Sequence, residues 1–270
     1  MKIRAALSGS GFLAPIHAGA VCAFLDNGIE IAEVSGTSGG SIVGAILASG
    51  MTSAQIKQIA LDDLPDGIVA YRPISLFFHE GLNSGDILQS WLDSILGNVT
   101  FATAKIPISI MATDIDAGES FRFDAVNTPN ITLAQACRAS ASVPIVYVPA
   151  EVAGKKLCDA GMVCNIPVDQ LIDDAIVRVG FEVMDGSPAG STSNMFGLFE
   201  QCIKTMMQSN EENLTAWAEH TGSIIQLEDA MPYGFLDASL PLSAKLELFE
   251  RGYTAGKRVI ERISIAQNNN

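Results

Sequence analysis

Val34-Ser35-Gly36-Thr37-Ser38-Gly39-Gly40-Ser41 places Ser38 between glycines, after the apolar run from Ile31 and before the helix-forming Ile42-Val43-Gly44-Ala45-Ile46-Leu47-Ala48. A strand that turns sharply into a helix lifts such a serine clear of the backbone, and Gly36 and Gly40 let the neighbouring chain pass close to it. The first turn of the new helix then aims free N–H groups at any negative charge that develops beside Ser38. The same letters also fit an ordinary glycine-rich strand-to-helix turn, so the surroundings have to decide.

Upstream, Ile3–Leu7 reads as a buried strand, Ser8–Ala14 as a glycine loop, and Pro15–Asn27 as a helix with Pro at its start and Gly28 just past its end. Ile31–Ser35 is a second strand. Strand, loop, helix and strand in this order make a βαβ unit, which requires parallel strands. Downstream, the helix after Ser38 stops at Gly50, and helical segments resume from Thr52. The apolar stretch Ile68–Phe78, with Tyr71, Leu76, Phe77 and Phe78, suits either a lipid-facing flap or packing beneath a neighbouring helix. Ser84–Leu96 has the spacing of an amphipathic helix with Gly97 after it. Strands are expected at Ile106–Thr113, Glu119–Phe123 and Ala175–Phe181, and helices at Thr132–Ser140, Ser193–Ser209 and Ser243–Ile263, with a flexible connection at Gly186–Ser193. We expect one domain over residues 1–266 and a frayed tail at 267–270.

At 270 residues with 48% hydrophobic and 17% charged content, the chain can bury one substantial core. Its formal net charge of −14 argues against a nucleic-acid groove and against simple adsorption to anionic lipid. Cys22, Cys137, Cys158, Cys164 and Cys202 are scattered and odd in number, and read as reduced core residues. His17, His79 and His220 do not have zinc spacing, so neither a metal nor another cofactor is expected. Ser8, Gly9, Ser10, Gly11, Pro15 and His17 interrupt the uncharged run Ala5–Leu25, which argues against a signal peptide. Neither this run nor Val34–Ile56 has the character of a membrane span, so a cytoplasmic protein with peripheral membrane association is expected.

An activated serine needs a base, usually a histidine held by a carboxylate. His17 lies in the first helix, where a buried, hydrogen-bonded imidazole is the ordinary role, and His79 and His220 sit in polar surroundings where exposure is the default. The alternative is Asp159, at the end of the strand-like Lys156-Leu157-Cys158 and before Ala160-Gly161. A carboxylate serves as base near neutral pH only with direct access to Ser38 and a well-prepared oxyanion site. Gly9-Ser10-Gly11 can turn backbone N–H groups toward the point that the N–H of Gly39 faces. Asp114 and Asp116 would share one face as a carboxylate pair only if a strand continued through both, and Asp114 is read instead as bonding amides in a turn before Gly118. Arg138 either pairs with a carboxylate near the site or lies at the surface.

Taken together these motifs resemble the patatin-like phospholipases, serine acyl hydrolases with a Ser-Asp dyad. The likeness covers nearly the whole chain. It runs through Leu7-Ser8-Gly9-Ser10-Gly11 with His17 and Gly19, the Gly36–Gly40 turn, Leu82-Asn83-Ser84-Gly85-Asp86, Ala112–Gly118, Arg138–Pro144, and Asp159-Ala160-Gly161 through Asn165-Ile166-Pro167. The resemblance implies an α/β fold with three α/β/α layers around a mostly parallel sheet. It implies Ser38 as nucleophile, Asp159 as base, and backbone donors from Gly9, Ser10, Gly11 and Gly39. It further implies a lipid or other ester substrate, with a membrane surface and a protein activator as conceivable partners, and it leaves the oligomeric state open. Two departures stand out. The family's loop usually reads Gly-Gly-Gly-x-Arg/Lys-Gly, whereas Gly9-Ser10-Gly11-Phe12-Leu13-Ala14 lacks the cation and the last glycine, and Ala160 stands where glycine usually follows the aspartate. The altered loop keeps two further readings in play, a catalytically weak lipid-binding or scaffold protein and an acyltransferase.

Overall fold

The structure is a computed structural model that describes residues 1–69, 81–186 and 195–268. Tyr71, Leu76, Phe77, Phe78 and His79, and most of the connection expected at Gly186–Ser193, lie outside the described residues.

The βαβ unit forms as expected from β1 (Lys2–Leu7), α1 (Pro15–Asp26) and β2 (Glu30–Thr37), and α2 (Ser38–Ala48) follows β2 without an intervening loop. Next come α3 (Ser53–Leu61), β3 (Gly81–Asn83) and α4 (Asp86–Leu96). The middle of the chain carries β4 (Ile108–Asp114), β5 (Glu119–Phe123), α5 (Leu133–Ser140) and the short strands β6 (Ile145–Tyr147), β7 (Ala150–Val152) and β8 (Lys155–Asp159). β9 (Val177–Met184), α6 (Met195–Thr221), β10 (Ile224–Asp229) and α7 (Leu242–Asn268) complete it.

The main sheet runs β10-β9-β1-β2-β4-β8-β7, with β5 added to β4. Its β10-to-β4 portion is parallel, while β5, β7 and β8 pair antiparallel. Helices cover both faces, the expected three-layer α/β/α arrangement. Every residue of β4 is buried, as a strand covered on both sides requires. α1 and α7 cross at glycines: a Cβ on Gly19 would stand 2.0 Å from the carbonyl oxygen of Phe249, and one on Gly252 would stand 1.8 Å from that of Ile16. No side chain larger than hydrogen fits at that crossing.

Several elements depart from the sequence reading. α6 continues twelve residues past the expected end at Ser209, to Thr221, because Leu214 and Trp217 return to a small cluster of Ala6, Ile166, Val168 and Leu171. α7 runs on to Asn268, through the first two residues of the expected tail, and residues 269–270 lie outside the described residues. Cys22, Cys137 and Cys158 are buried free thiols as read, but Cys164 is half-buried and Cys202 exposed. No helix among the described residues is long and apolar enough to cross a membrane.

Candidate active site

Ser38 sits at the corner between β2 and α2. Thr37 is still extended, with φ −123° and ψ 136°, and Ser38 turns to φ +50°, a left-handed conformation that a residue with a Cβ adopts only under constraint. The constraint is visible. A Cβ on Gly40 would lie 2.3 Å from the carbonyl oxygen of Ser8, and one on Gly36 would lie 2.6 Å from the Cα of Ser41, so the corner closes only with glycine on both sides. The Ser38 N–H donates to Ser140 Oγ at 2.8 Å, and that hydroxyl donates on to the carbonyl of Met111 at 2.6 Å. Thr37 Oγ1 donates to the carbonyl of Cys164 at 2.7 Å, and Ser41 Oγ to that of Ser38 at 2.6 Å.

Asp159 reaches the same point through β-sheet register. Met111 pairs with Thr37 and Arg122, and the next residue, Ala112, pairs with Asp159 and Phe121. Because β5 occupies one edge of β4 throughout, Thr37 and Asp159 occupy successive positions on the other edge. β2 and β8 therefore arrive from opposite directions and end facing each other, one residue short of Ser38 on one side and at Asp159 on the other. The turn is held by Asp159 N–H to the carbonyl of Ser142 at 2.9 Å and by Thr113 Oγ1 to the carbonyl of Asp159 at 2.9 Å. Asp159 is buried. Its Oδ1 accepts the N–H of Gly161 at 2.7 Å, while Oδ2 has no hydrogen-bond partner. Burial pushes its pKa up from 3.8 to about 6, against the opposing influence of the nearby Ser38 hydroxyl and the Gly161 amide. The carboxyl group thus lies near the Ser38 hydroxyl with Oδ2 uncommitted to any other donor.

The glycine loop lies over this pair. A Cβ on Gly39 would stand 2.5 Å from the carbonyl oxygen of Gly11 and 2.5 Å from Ser10 Oγ, and one on Gly9 would stand 3.7 Å from Ser38 Cβ, so the loop and the first turn of α2 are in direct contact around Ser38. Gly9 itself is a correction to the expected donor set: its N–H donates to the carbonyl of Asn165 at 3.1 Å and is already engaged. The amides of Ser10, Gly11 and Gly39 have no acceptor among the described residues. His17 is fully buried, with Nε2 donating to the carbonyl of Ser8 at 2.9 Å, and burial lowers its pKa to about 4. A neutral imidazole so placed fixes the start of the loop, the structural role expected of it. His220 is exposed on the last turn of α6.

Two clefts meet at Ser38. The larger, about 1060 Å³ of empty space counting its open mouth, is walled almost wholly by apolar groups, among them Ile42, Val43 and Ile46 of α2, Ile56 and Ile59 of α3, and Leu88 and Trp91 of α4. The smaller, about 640 Å³ on the same measure, holds Asp159, Ser10, Pro144, Met162 and Met207, together with the ion pair of Lys204 and Asp185 at 3.3 Å. Gly11, Val143, Phe235 and Leu236 border both.

Arg138 follows neither expectation. It is buried and donates to the carbonyls of Ser84 at 2.7 Å, Gly85 at 3.2 Å and Val148 at 3.0 Å and to Ser142 Oγ, with no ion pair to a carboxylate among the described residues. It thereby braces the segment whose Ser142 carbonyl holds Asp159. Ser140 and Ser142 are the working residues the sequence reading passed over, although the stretch Arg138–Pro144 had been singled out. Asp114 bonds the Ala117 amide at 3.3 Å and the side chain of Lys155, which fits its reading as a turn residue. Among the described residues no three His, Cys, Asp or Glu side chains gather as a metal site.

The sequence profile of the patatin-like phospholipases matches residues 5–172, a span that contains Ser38, Asp159 and the glycine loop. The chain belongs to this family. It is 25% identical over 281 aligned positions to the uncharacterised protein YqhO of Bacillus subtilis, covering 93% of this chain and 96% of that protein. It is 28% identical over 187 positions to the uncharacterised protein R571 of Acanthamoeba polyphaga mimivirus, covering 65% of this chain and 63% of the viral protein, so that likeness leaves over a third of the relative unmatched. Among solved structures, VipD from Legionella pneumophila superposes with a TM-score of 0.60 at 14% identity, over 96% of this patatin-like chain and 67% of VipD, a likeness of fold.

Proposed function

We propose that the chain is a lipid acyl hydrolase in which Ser38 and Asp159 act as a dyad. The observation that carries this reading is the meeting of a serine held at φ +50° with the unpartnered Oδ2 of a buried carboxylate whose pKa lies near neutrality. Ser38 Oγ attacks the ester carbonyl carbon while its proton passes to Asp159 Oδ2, and the carbonyl oxygen becomes an oxyanion facing the free amides of Ser10, Gly11 and Gly39. Asp159 returns the proton to the departing alcohol, leaving the acyl group on Ser38. Water, deprotonated by the same carboxylate, then attacks the acyl carbon, and Asp159 hands that proton to Ser38 Oγ as the fatty acid leaves. The apolar lining of the larger cleft suits an acyl chain, and the mixed lining of the smaller one suits the alcohol portion.

Incubation with a fluorophosphonate probe and with mixed membrane lipids tests the reading. Labelling at Ser38, with fatty-acid release that disappears in Ser38→Ala and in Asp159→Asn, is the expected result. Release that persists in folded Asp159→Asn would remove the dyad.

A further inference from the structure

Ser10 occupies the middle of the glycine loop, where a glycine would supply only its amide, and its side chain is unusual for its position. It is 1% exposed, and its Oγ has no hydrogen-bond partner. It stands at the N-cap of the short turn Gly11–Leu13, where a serine hydroxyl ordinarily accepts an amide of the first turn, yet it makes no capping bond. A buried hydroxyl that neither caps nor pairs is rare in a folded protein and calls for an explanation. Its direction supplies one: Oγ lies 2.5 Å from the place a Cβ on Gly39 would occupy, beside the first turn of α2, and Ser10 borders the same cleft as Ser38 and Asp159.

We propose that the Ser10 hydroxyl is a catalytic hydrogen-bond donor to the oxyanion, added to the backbone amides. The inference rests on the dyad reading above. When Ser38 Oγ bonds to the ester carbon, the carbon–oxygen π pair moves onto the carbonyl oxygen, and the Ser10 O–H turns its hydrogen toward that charge without giving it up. The hydroxyl has no competing acceptor to leave, so the donor is already in place when the charge forms.

Ser10→Gly and Ser10→Ala, compared with the wild type on a soluble fatty-acid ester, test this with two inhibitors sharing one acyl chain. A trifluoromethyl ketone forms a hemiketal oxyanion on Ser38, and the corresponding methyl ketone serves as a ground-state comparator. The expected result is a fall in kcat of about 100-fold with KM within about twofold, and a similar loss of affinity for the trifluoromethyl ketone alone. Wild-type kcat in either variant, or equal loss of affinity for both ketones, would overturn the proposal. Unchanged thermal melting of the variants separates lost chemistry from lost fold, and two substitutions guard against one misfolding. A wild type that neither turns over the ester nor labels at Ser38 would instead sink the dyad reading itself, and Ser10 with it.

Discussion

The two sides of the candidate dyad are built by opposite means. The Ser38 corner is mostly local: Gly36, Thr37, Gly39, Gly40 and Ser41, all within three residues, form the turn, and distant chain at Ser8 and Ser140 closes it. The Asp159 turn is remote in origin. Thr113, Ser142 and the register of β8 on β4 hold it, and Arg138 braces Ser142 from behind. A candidate nucleophile can thus be recognised within a handful of letters, whereas the candidate base is placed by sheet pairing that no short motif encodes.

The largest expected effect tests whether the two sides work as one unit. Ser38→Ala and Asp159→Asn should each lower kcat/KM by at least ~10³-fold, and the double variant should fall no further, because groups acting in a single step are not additive. Multiplicative losses in steady-state kinetics would show two independent contributions. Next in size is the contrast between glycines. Gly40→Ala drives a methyl into the Ser8 and Leu7 carbonyls at 2.3 and 2.5 Å and should cost about 3 kcal/mol, with loss of activity, because backbone cannot yield as a side chain does. Gly161→Ala meets Asp159 Oδ1 at 3.1 Å and otherwise ordinary contacts at 3.6 Å, and should cost less than about 1 kcal/mol. Equal destabilisation in denaturant melts would erase the distinction between a strained corner and a relaxed turn.

That distinction also governs what the sequence could reveal. The βαβ start, the helix after Ser38, the amphipathic helix α4 and the α5 helix beginning at Thr132 carry their own signals, in periodicity, capping and glycine placement. β6, β7 and β10 do not: they are three to six residues long, partly exposed, and become strands by pairing with chain already in place. Arg138 shows the same limit at one residue, since a lone arginine gives no hint that carbonyl oxygens, rather than a carboxylate, will satisfy it. The engagement of the Gly9 amide by Asn165, distant in the chain, was equally invisible. Asp159 is legible as a candidate from its place at the end of a strand-like run and from the poorly placed histidines, and the resemblance adds to that, while its position opposite the Ser38 corner depends on the successive pairings of Met111 and Ala112.

Ser140 joins the two regions, accepting from Ser38 and donating to Met111. Ser140→Ala strands a buried amide and a buried carbonyl, and should cost about 2 kcal/mol together with a roughly tenfold fall in kcat as the corner loosens. A full loss of stability with kcat intact would mean that Ser38 holds its conformation without this link.

The smallest effect in the wild type comes from two buried groups that oppose each other. Asp159 has a raised pKa in the folded state, so its contribution to stability is fully present below pH 3.8 and is lost as pH rises through about 6. His17 has a lowered one, so its contribution is present above pH 6.5 and is lost as pH falls through about 4. Each displacement corresponds to about 3 kcal/mol, with opposite sign over nearly the same window, so their sum should change by less than about 1 kcal/mol between pH 4 and 6.5. Asp159→Asn removes one arm. The variant should be more stable than wild type by up to about 3 kcal/mol at pH 8 and no more stable at pH 4, exposing the acid-side slope of His17 in paired denaturant melts. The ionised carboxylate that the proposed dyad needs is then the form that burial disfavours. A stability difference that stays constant across that pH range would show that Asp159 titrates as an ordinary carboxylate and is a weak base for Ser38.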